Sequence, residues 1–189
     1  MTYEVETKVE LTKDEKARLI DSFKEKGFEF RKVTPQRDFY VEAKESPLYE
    51  ECGRYDLKRY RDEDGELIYT AKIWELVDGH IARQEEEYSV SKEKFDSEIE
   101  KYPDAVKIEK TREWFWGEFL NQKISITIDS VKFDHSPEER YFIEAEIDVS
   151  DKNETKSTKD LINNFLKEIL NKEEIEEAPG MFAMAFDKR

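Results

Sequence analysis

The feature that most constrains this chain is an inverted alternation. Charged residues recur at every second position in segments whose other positions are apolar. In an extended strand, residues i and i+2 share a face. Glu4, Glu6 and Lys8 therefore share one face, opposite Tyr3, Val5 and Val9. Arg59 and Arg61 share a face, as do Thr70 and Lys72, then Arg83, Glu85 and Glu87, then Lys110 and Arg112. Ser125, Thr127 and Asp129 lie opposite Ile124, Ile126 and Ile128, and Glu144 and Glu146 lie opposite Ile143, Ala145 and Ile147. Any one pair is what the wet face of an ordinary sheet shows. As a set they mix acids and bases strand after strand, with few neutral polar residues between them. A closed antiparallel barrel accommodates this pattern, its apolar face outward under helices and its charged face inward around a wet lumen.

The remaining segments support an α+β reading. Tyr3 to Leu11 reads as a strand. Thr12-Lys13-Asp14-Glu15 is a capping-box pattern that opens a helix carrying Leu19, Ile20 and Phe23, with Gly27 at its end. Phe28 to Val33 and Gln36 to Ala43 read as extended, and Glu45 to Gly53 as a loop. Tyr55 to Arg61 and Leu67 to Trp74 flank Asp62-Glu63-Asp64-Gly65, a hairpin signal, and Asp78-Gly79 leads into Ile81 to Val90. A second helix starts at Ser91 and ends before Pro103. Val106 to Phe115, Lys123 to Phe133 and Arg140 to Val149 are further strands, and Thr158 to Leu170 is a last helix. The tail from Ile175 has no clear pattern. With no repeat or linker, residues 1–189 read as a single domain.

Composition narrows the function classes. A net charge of −15 argues against polymeric nucleic acid and against an anionic membrane surface, both of which call for a basic face. One cysteine, Cys52, allows no internal disulfide and suits a reducing compartment. Met1-Thr2-Tyr3-Glu4 is not a secretory signal, and no apolar run approaches membrane-spanning length, so a cytoplasmic protein is expected. His80 and His135 are isolated and read as loop histidines, not a zinc site. Ser125 has no histidine partner in view, and the glycines form no phosphate loop. Trp114-Phe115-Trp116 suits either packing at a strand end or stacking on a base.

A lumen holding seven acids and seven bases is costly unless the charges pair or bind ions. Arginine forks match phosphate oxygens, and clustered carboxylates match a hard divalent cation. A polyphosphate with Mg²⁺ or Mn²⁺ satisfies both sets at once.

These residues resemble the CYTH domain, or triphosphate tunnel metalloenzyme superfamily. Glu4-Val5-Glu6-Thr7-Lys8 matches its ExExK signature, and Gln36-Arg37-Asp38-Phe39-Tyr40 is similar to its second-strand segment. Arg59-Tyr60-Arg61 matches RxR, Thr70-Ala71-Lys72 matches TxK, and Arg83-Gln84-Glu85-Glu86-Glu87 matches RxExE. Lys110-Thr111-Arg112 matches KxR, Asp129 stands where a strand aspartate is expected, and Glu144-Ala145-Glu146 matches the late ExE. The chain departs from many small members in lacking Gly-x-Phe before that ExE and a Ser-Tyr near the C-terminus.

The resemblance implies a closed eight-stranded antiparallel barrel and metal-dependent hydrolysis of the terminal phosphate of inorganic triphosphate, a nucleotide or thiamine triphosphate. A class IV adenylyl cyclase is the alternative. It implies phosphate contacts from Lys8, Arg59, Arg61, Lys72, Lys110 and Arg112. Arg83 is either a further phosphate contact or an internal partner for Glu85 and Asp129. Metal ligands are expected among Glu4, Glu6, Glu144 and Glu146, with Glu85, Glu87 and Asp129 as further ligands or supporting acceptors. Glu4, Glu6 and Lys8 are the catalytic candidates. The implied partner is a small-molecule triphosphate, and a homodimer is compatible with the reading.

Overall fold

In the computed structural model, residues 3–46, 50, 55–77, 80–134, 136 and 138–186 are described, with backbone alone at 75–77, 80–84 and 152. Cys52, His135, the Asp78-Gly79 turn and most of the Glu45–Gly53 loop lie outside the described residues.

The strands are β1 (Tyr3–Leu11), β2 (Glu29–Glu45), β3 (Tyr55–Glu63), β4 (Glu66–Val77), β5 (His80–Ser89), β6 (Val106–Phe119), β7 (Gln122–Phe133) and β8 (Arg140–Val149). The helices are α1 (Lys13–Glu25), α2 (Lys92–Lys101), α3 (Thr155–Leu170) and α4 (Met181–Phe186), with a 3₁₀ turn at Lys152–Glu154. The strands form a sheet in the order β1-β8-β7-β6-β2-β3-β4-β5. The expected α+β class with eight antiparallel strands is what the chain has.

The chain divides into two compact units. The first contains Met1–Thr34, Thr111–Val131 and Glu139–Ala178; the second contains Pro35–Lys110, Lys132–Glu138 and Pro179–Arg189. In the first, one face of β1, β7 and β8 supplies Val5, Val9, Leu11, Ile124, Ile126, Ile128, Ile143, Ala145, Ile147 and Val149 to a continuous core. Leu19 and Phe23 of α1 and Ile162, Phe165 and Leu166 of α3 cover that face. Thr7 is fully buried on the same face and donates to Asn163 Oδ1 of α3 at 2.9 Å, so its hydroxyl is not stranded.

Local chemistry sets the element ends. Thr12 Oγ1 accepts from the Glu15 N–H, and Glu15 Oε2 accepts from the Thr12 N–H, which is the capping box read from sequence. Gly27 follows α1 at φ 80°, and the Phe28 N–H reaches back to the Phe23 carbonyl at 2.8 Å. The Phe23 and Phe28 rings then pack 5.6 Å apart. At the β3–β4 turn, Asp64 and Gly65 both take positive φ, the conformation a two-residue hairpin turn requires.

In the second unit, α2 lays Phe95 against the outward aromatics of the sheet. Its ring lies 5.7 Å from Phe39 and 5.9 Å from Tyr60. The unassigned tail contains α4, whose Phe182 packs on Tyr40 and Tyr55.

Three expectations are corrected. Two separate segments, Phe28–Val33 and Gln36–Ala43, are one 17-residue strand. Pro35 does not break it, because the β3 ladder begins one residue later at Gln36↔Glu63 and demands no N–H from the proline. His80 opens β5 and does not lie in a loop. The last helix begins at Thr155, ahead of Thr158, directly out of the 3₁₀ turn.

β1 and β5 stand at the two ends of the strand order. The β1 edge is covered by its own unit. The Lys8 carbonyl accepts the Ala178 N–H at 2.8 Å, and the Glu6 carbonyl accepts Lys159 Nζ at 2.5 Å. Edge carbonyls satisfied in this way offer less to a foreign strand.

A methyl group at Gly117 would sit 2.2 Å from the Phe28 ring, whereas one at Gly180 would meet nothing within 4 Å. Gly117→Ala is expected to cost about 1–3 kcal/mol by overpacking. Its melting temperature should fall by about 2–4 °C for each of those kcal/mol, while Gly180→Ala should stay close to the unaltered protein. Equal melting temperatures for the two variants would refute the close approach.

Candidate functional site

With the apolar strand faces under helices, the opposite faces carry the charges. In the first unit, β1 and β8 are registered Glu4↔Asp148, Glu6↔Glu146 and Lys8↔Glu144. The pairing places Glu6 directly across from Glu146. Glu4, Glu6 and Glu146 each offer a carboxylate oxygen within 4.8 Å of the others. Burial, together with the charges of Glu4, Glu144, Glu6 and Asp148, pushes the Glu146 carboxyl up to about 9. Such a cluster of hard oxygens, with its charges uncompensated by one another, fits a divalent cation.

Beside it the charges alternate in sign. Lys8 Nζ lies 2.7 Å from Glu144 Oε2. Burial alone would lower the Lys8 ammonium, but Glu144 and Glu6 outweigh it and the net shift is upward. Arg112 donates through Nε and Nη2 to the two oxygens of Asp129, both at 2.7 Å, and its Nη2 lies 3.6 Å from Glu144. Asp129 is 1% exposed and therefore serves as an acceptor for Arg112.

The second unit carries a basic cluster built around Asp38, which stands in the Gln36-Arg37-Asp38-Phe39-Tyr40 segment but has no role assigned from sequence. Asp38 of β2 accepts from Arg61 Nε at 2.6 Å and Nη2 at 2.9 Å. Arg59 Nη1 lies 3.7 Å and Lys110 Nζ 3.9 Å from its Oδ2. Burial alone would raise the Asp38 carboxyl; Arg61, Arg59 and Lys110 reverse that and hold it far below the usual carboxylate range. Arg61 Nη1 also lies 3.7 Å from Glu63 and Arg59 Nη2 3.8 Å from Glu87, so the three cations sit in a mixed network with Asp38 at its centre. Its sequence signal was the spacing Gln36-x-Asp38-x-Tyr40, a polar face on a strand registered Asp38↔Arg61.

The neighbouring strands complete this cluster. Thr70 accepts from Arg59 Nη2 at 2.9 Å and donates to Glu87 Oε2 at 3.1 Å. Lys72 sits opposite Glu85 in the β4–β5 ladder, with Nζ 3.1 Å from its carboxylate. Glu85 and Glu87 therefore engage the basic set of their own unit. Arg83 falls opposite Trp74 in β5, and its side chain lies outside the described residues.

Five buried side-chain atoms among the described residues have no hydrogen-bond partner: Thr34 Oγ1, Gln36 Oε1, Arg59 Nε, Trp114 Nε1 and Thr127 Oγ1. By alternation each lies on the face of its strand that carries the charges. The apolar faces, in contrast, satisfy even Thr7. Unmet buried polar groups cost about 1–3 kcal/mol each, and each of these adds that cost to the charged face of its own strand.

The chain belongs to the CYTH domain family, whose model matches residues 2–179. The family is one of enzymes, triphosphatases and adenylyl cyclases among them. Solved structures agree on the fold. A Pyrococcus horikoshii OT3 protein matches with a TM-score of 0.70 at 23% identity, covering 99% of this chain and 100% of its own. A Hippeastrum protein, proposed as an adenylyl cyclase and described as having a dominant triphosphatase activity, matches at 0.62 and 15% identity, covering 100% and 97%. A Bacillus halodurans protein proposed as an adenylate cyclase matches at 0.58 and 15% identity, covering 97% of each. A comparison with curated proteins finds no match. Among the described residues, no helix is long and apolar enough to cross a membrane.

The two clusters should respond to pH with opposite signs. Asp38 has a depressed carboxyl, so its stabilisation is complete above its unfolded value of about 3.8 and is lost as pH falls below that. Asp38→Ala should cost about 3–5 kcal/mol, the penalty for stranding buried partners of opposite charge. Glu146 has a raised carboxyl, so in chelator-treated protein stability should decline as pH climbs from about 4.5 towards about 9. Glu146→Gln should flatten that decline. Urea titrations at stepped pH test both, and a decline unchanged in Glu146→Gln would rule out the carboxylate cluster as its source.

Proposed function

We propose that this chain is a metal-dependent triphosphate hydrolase acting as one functional domain over residues 1–189. Its substrate is a compound carrying a triphosphate, and its product is orthophosphate from the terminal position. The observation that supports the reading is the three-carboxylate cluster of the first unit. A three-carboxylate cluster at Glu4, Glu6 and Glu146 stands in one unit, and a cation-rich cluster of Arg59, Arg61 and Lys110 around Asp38 stands in the other. The closed tunnel implied by the family resemblance is part of this reading.

Glu4, Glu6 and Glu146 would hold Mg²⁺ or Mn²⁺, with Glu144 beside them. The cation would supply charge neutralisation and a positioned water. Arg59, Arg61, Lys72, Lys110 and Arg112 grip phosphate oxygens, and Arg59 Nε is a buried donor with no partner in the protein. Lys8, held beside Glu144, keeps its charge at all ordinary pH and faces developing negative charge. Asp38, Asp129, Glu85 and Glu87 hold the cationic side chains in place. Hydrolysis joins a water oxygen to the terminal phosphorus, breaks its bond to the bridging oxygen and releases a proton.

Cyclisation of ATP is the second reading, favoured by the fold shared with proposed adenylate cyclases. It requires the ribose hydroxyl to be fixed against the α-phosphorus, a tighter positional demand than placing a water.

The decisive experiment incubates the protein separately with inorganic triphosphate, ATP and thiamine triphosphate, with Mg²⁺ or Mn²⁺, and identifies the products by chromatography. Orthophosphate release supports the hydrolase. Cyclic AMP with pyrophosphate as the main products of ATP, and inorganic triphosphate left intact, would select the cyclase. Glu6→Gln should abolish metal-dependent turnover, and Lys72→Ala should weaken triphosphate binding as well. Near-full turnover in Glu6→Gln would remove it from the site. Saturation with ligand at about a hundred times its dissociation constant should add about 2.7 kcal/mol of stability. An unmoved melting temperature would contradict the reading.

A further inference from the structure

The charged face of the first unit runs in rows across β1, β8 and β7. Glu6 is registered with Glu146, and Glu146 with Ser125; in the next row Lys8 is registered with Glu144, and Glu144 with Thr127. Ile126 and Ile128, on either side of Thr127, are fully buried in the helix-side core, so the Thr127 side chain stands on the opposite face, beside Glu144. Thr127 is 4% exposed, and its Oγ1 has no hydrogen-bond partner. The adjoining carboxylate is engaged elsewhere: Glu144 Oε2 lies 2.7 Å from Lys8 Nζ, and its Oε1 lies 3.6 Å from Arg112 Nη2. Arg112 is anchored in turn by Asp129, the next residue of β7 on that face. Thr7 shows how this sheet treats the same side chain elsewhere. Buried on the helix side, its hydroxyl donates to Asn163 Oδ1 at 2.9 Å.

We propose that the Thr127 hydroxyl is a further contact to the bound triphosphate, donating to a phosphate oxygen seated beside Glu144. This rests on the triphosphate reading of the site and deepens it by a residue outside the charged set. Packing alone does not call for a hydroxyl at this position. Valine has the same shape, suits a strand and needs no partner. The chemistry of the missing partner follows from the neighbours. Lys8 and Arg112 carry only N–H donors, and the hydroxyl brings one more proton. The group that completes the row is therefore an oxygen with several lone pairs, which a phosphate supplies and a cation does not. The row also lies one step, about 7 Å along the strands, from Glu6 and Glu146, the carboxylates assigned to the metal. A phosphate bridged to that ion comes within the same stretch of the face.

Stability and affinity should move in opposite directions, which a purely structural hydroxyl would not produce. Thr127→Val removes a buried hydroxyl that has no partner, so the ligand-free variant should melt at or above the temperature of the unaltered protein. Thr7→Val strands Asn163 and should melt lower. Affinity is measured by calorimetry with Mg²⁺ and the methylene-bridged analogue of inorganic triphosphate, which resists cleavage. Thr127→Val should bind it about tenfold more weakly, the loss of one hydrogen bond to a charged group. Thr127→Ser, which keeps the hydroxyl, should restore most of that loss. Undiminished affinity in Thr127→Val, or a melting temperature lowered as in Thr7→Val, would overturn the contact and leave the triphosphate reading standing. If the unaltered protein does not bind the analogue, both fall together.

Discussion

Strand register is the constraint on which the rest depends. In β1 and β8 the core and the charged face are the odd and even positions of one segment, so neither can be placed without the other. Val5 and Val9 enter the core only if Glu4, Glu6 and Lys8 face away from it. A slip of one residue would drive Glu6 under α3 and lift Val5 into the ligand face. The hydrophobic core therefore positions the site, since the burial that stabilises Ile143, Ala145 and Ile147 also fixes Glu144 and Glu146 opposite Lys8 and Glu6.

Placed by that register, the charged side chains differ sharply in their electrostatics. Asp38 has three cationic neighbours and is held ionised, whereas Glu146 has only carboxylates as its leading neighbours and is driven towards its neutral form. The difference is local composition, because both groups are desolvated by burial. Lys8 and Arg112 adjoin Glu144, and Glu63 and Glu87 adjoin Arg61 and Arg59, so each cluster mixes both signs around its most perturbed carboxyl.

Much of this was legible in the sequence, for physical reasons that vary by element. The period-2 alternation on β1, β7 and β8 is strong because one face meets helices and the other carries charge, so the fold and the candidate site residues are read from the same positions. The capping box at Thr12 and the glycine end of α1 were readable because their chemistry is local. The uninterrupted run of β2 through Pro35 was not readable, since it depends on where the β3 ladder begins. Asp38 was quoted within a motif yet not recognised as the centre of the basic cluster. Its role depends on Arg59, Arg61 and Lys110, which lie far from it in sequence. The separation of Phe115 from Trp114 and Trp116 also needed the structure, because three adjacent aromatics do not reveal which face a helix will cover.

The two sides of the sheet follow different rules of polar satisfaction, and that difference explains what the fold sacrifices. On the helix side the buried hydroxyls of Thr7 and Ser130 are matched by Asn163 and Lys16, and the Glu6 and Lys8 edge carbonyls by Lys159 and Ala178. On the charged side Gln36, Arg59, Trp114 and Thr127 keep buried atoms unmatched although many polar neighbours lie close by. A sequence under selection for stability alone would relieve these atoms with small apolar or self-paired substitutes. On the reading proposed above, the unmatched donors Arg59 Nε and Trp114 Nε1 are already desolvated, so little reorganisation would remain on binding an anion.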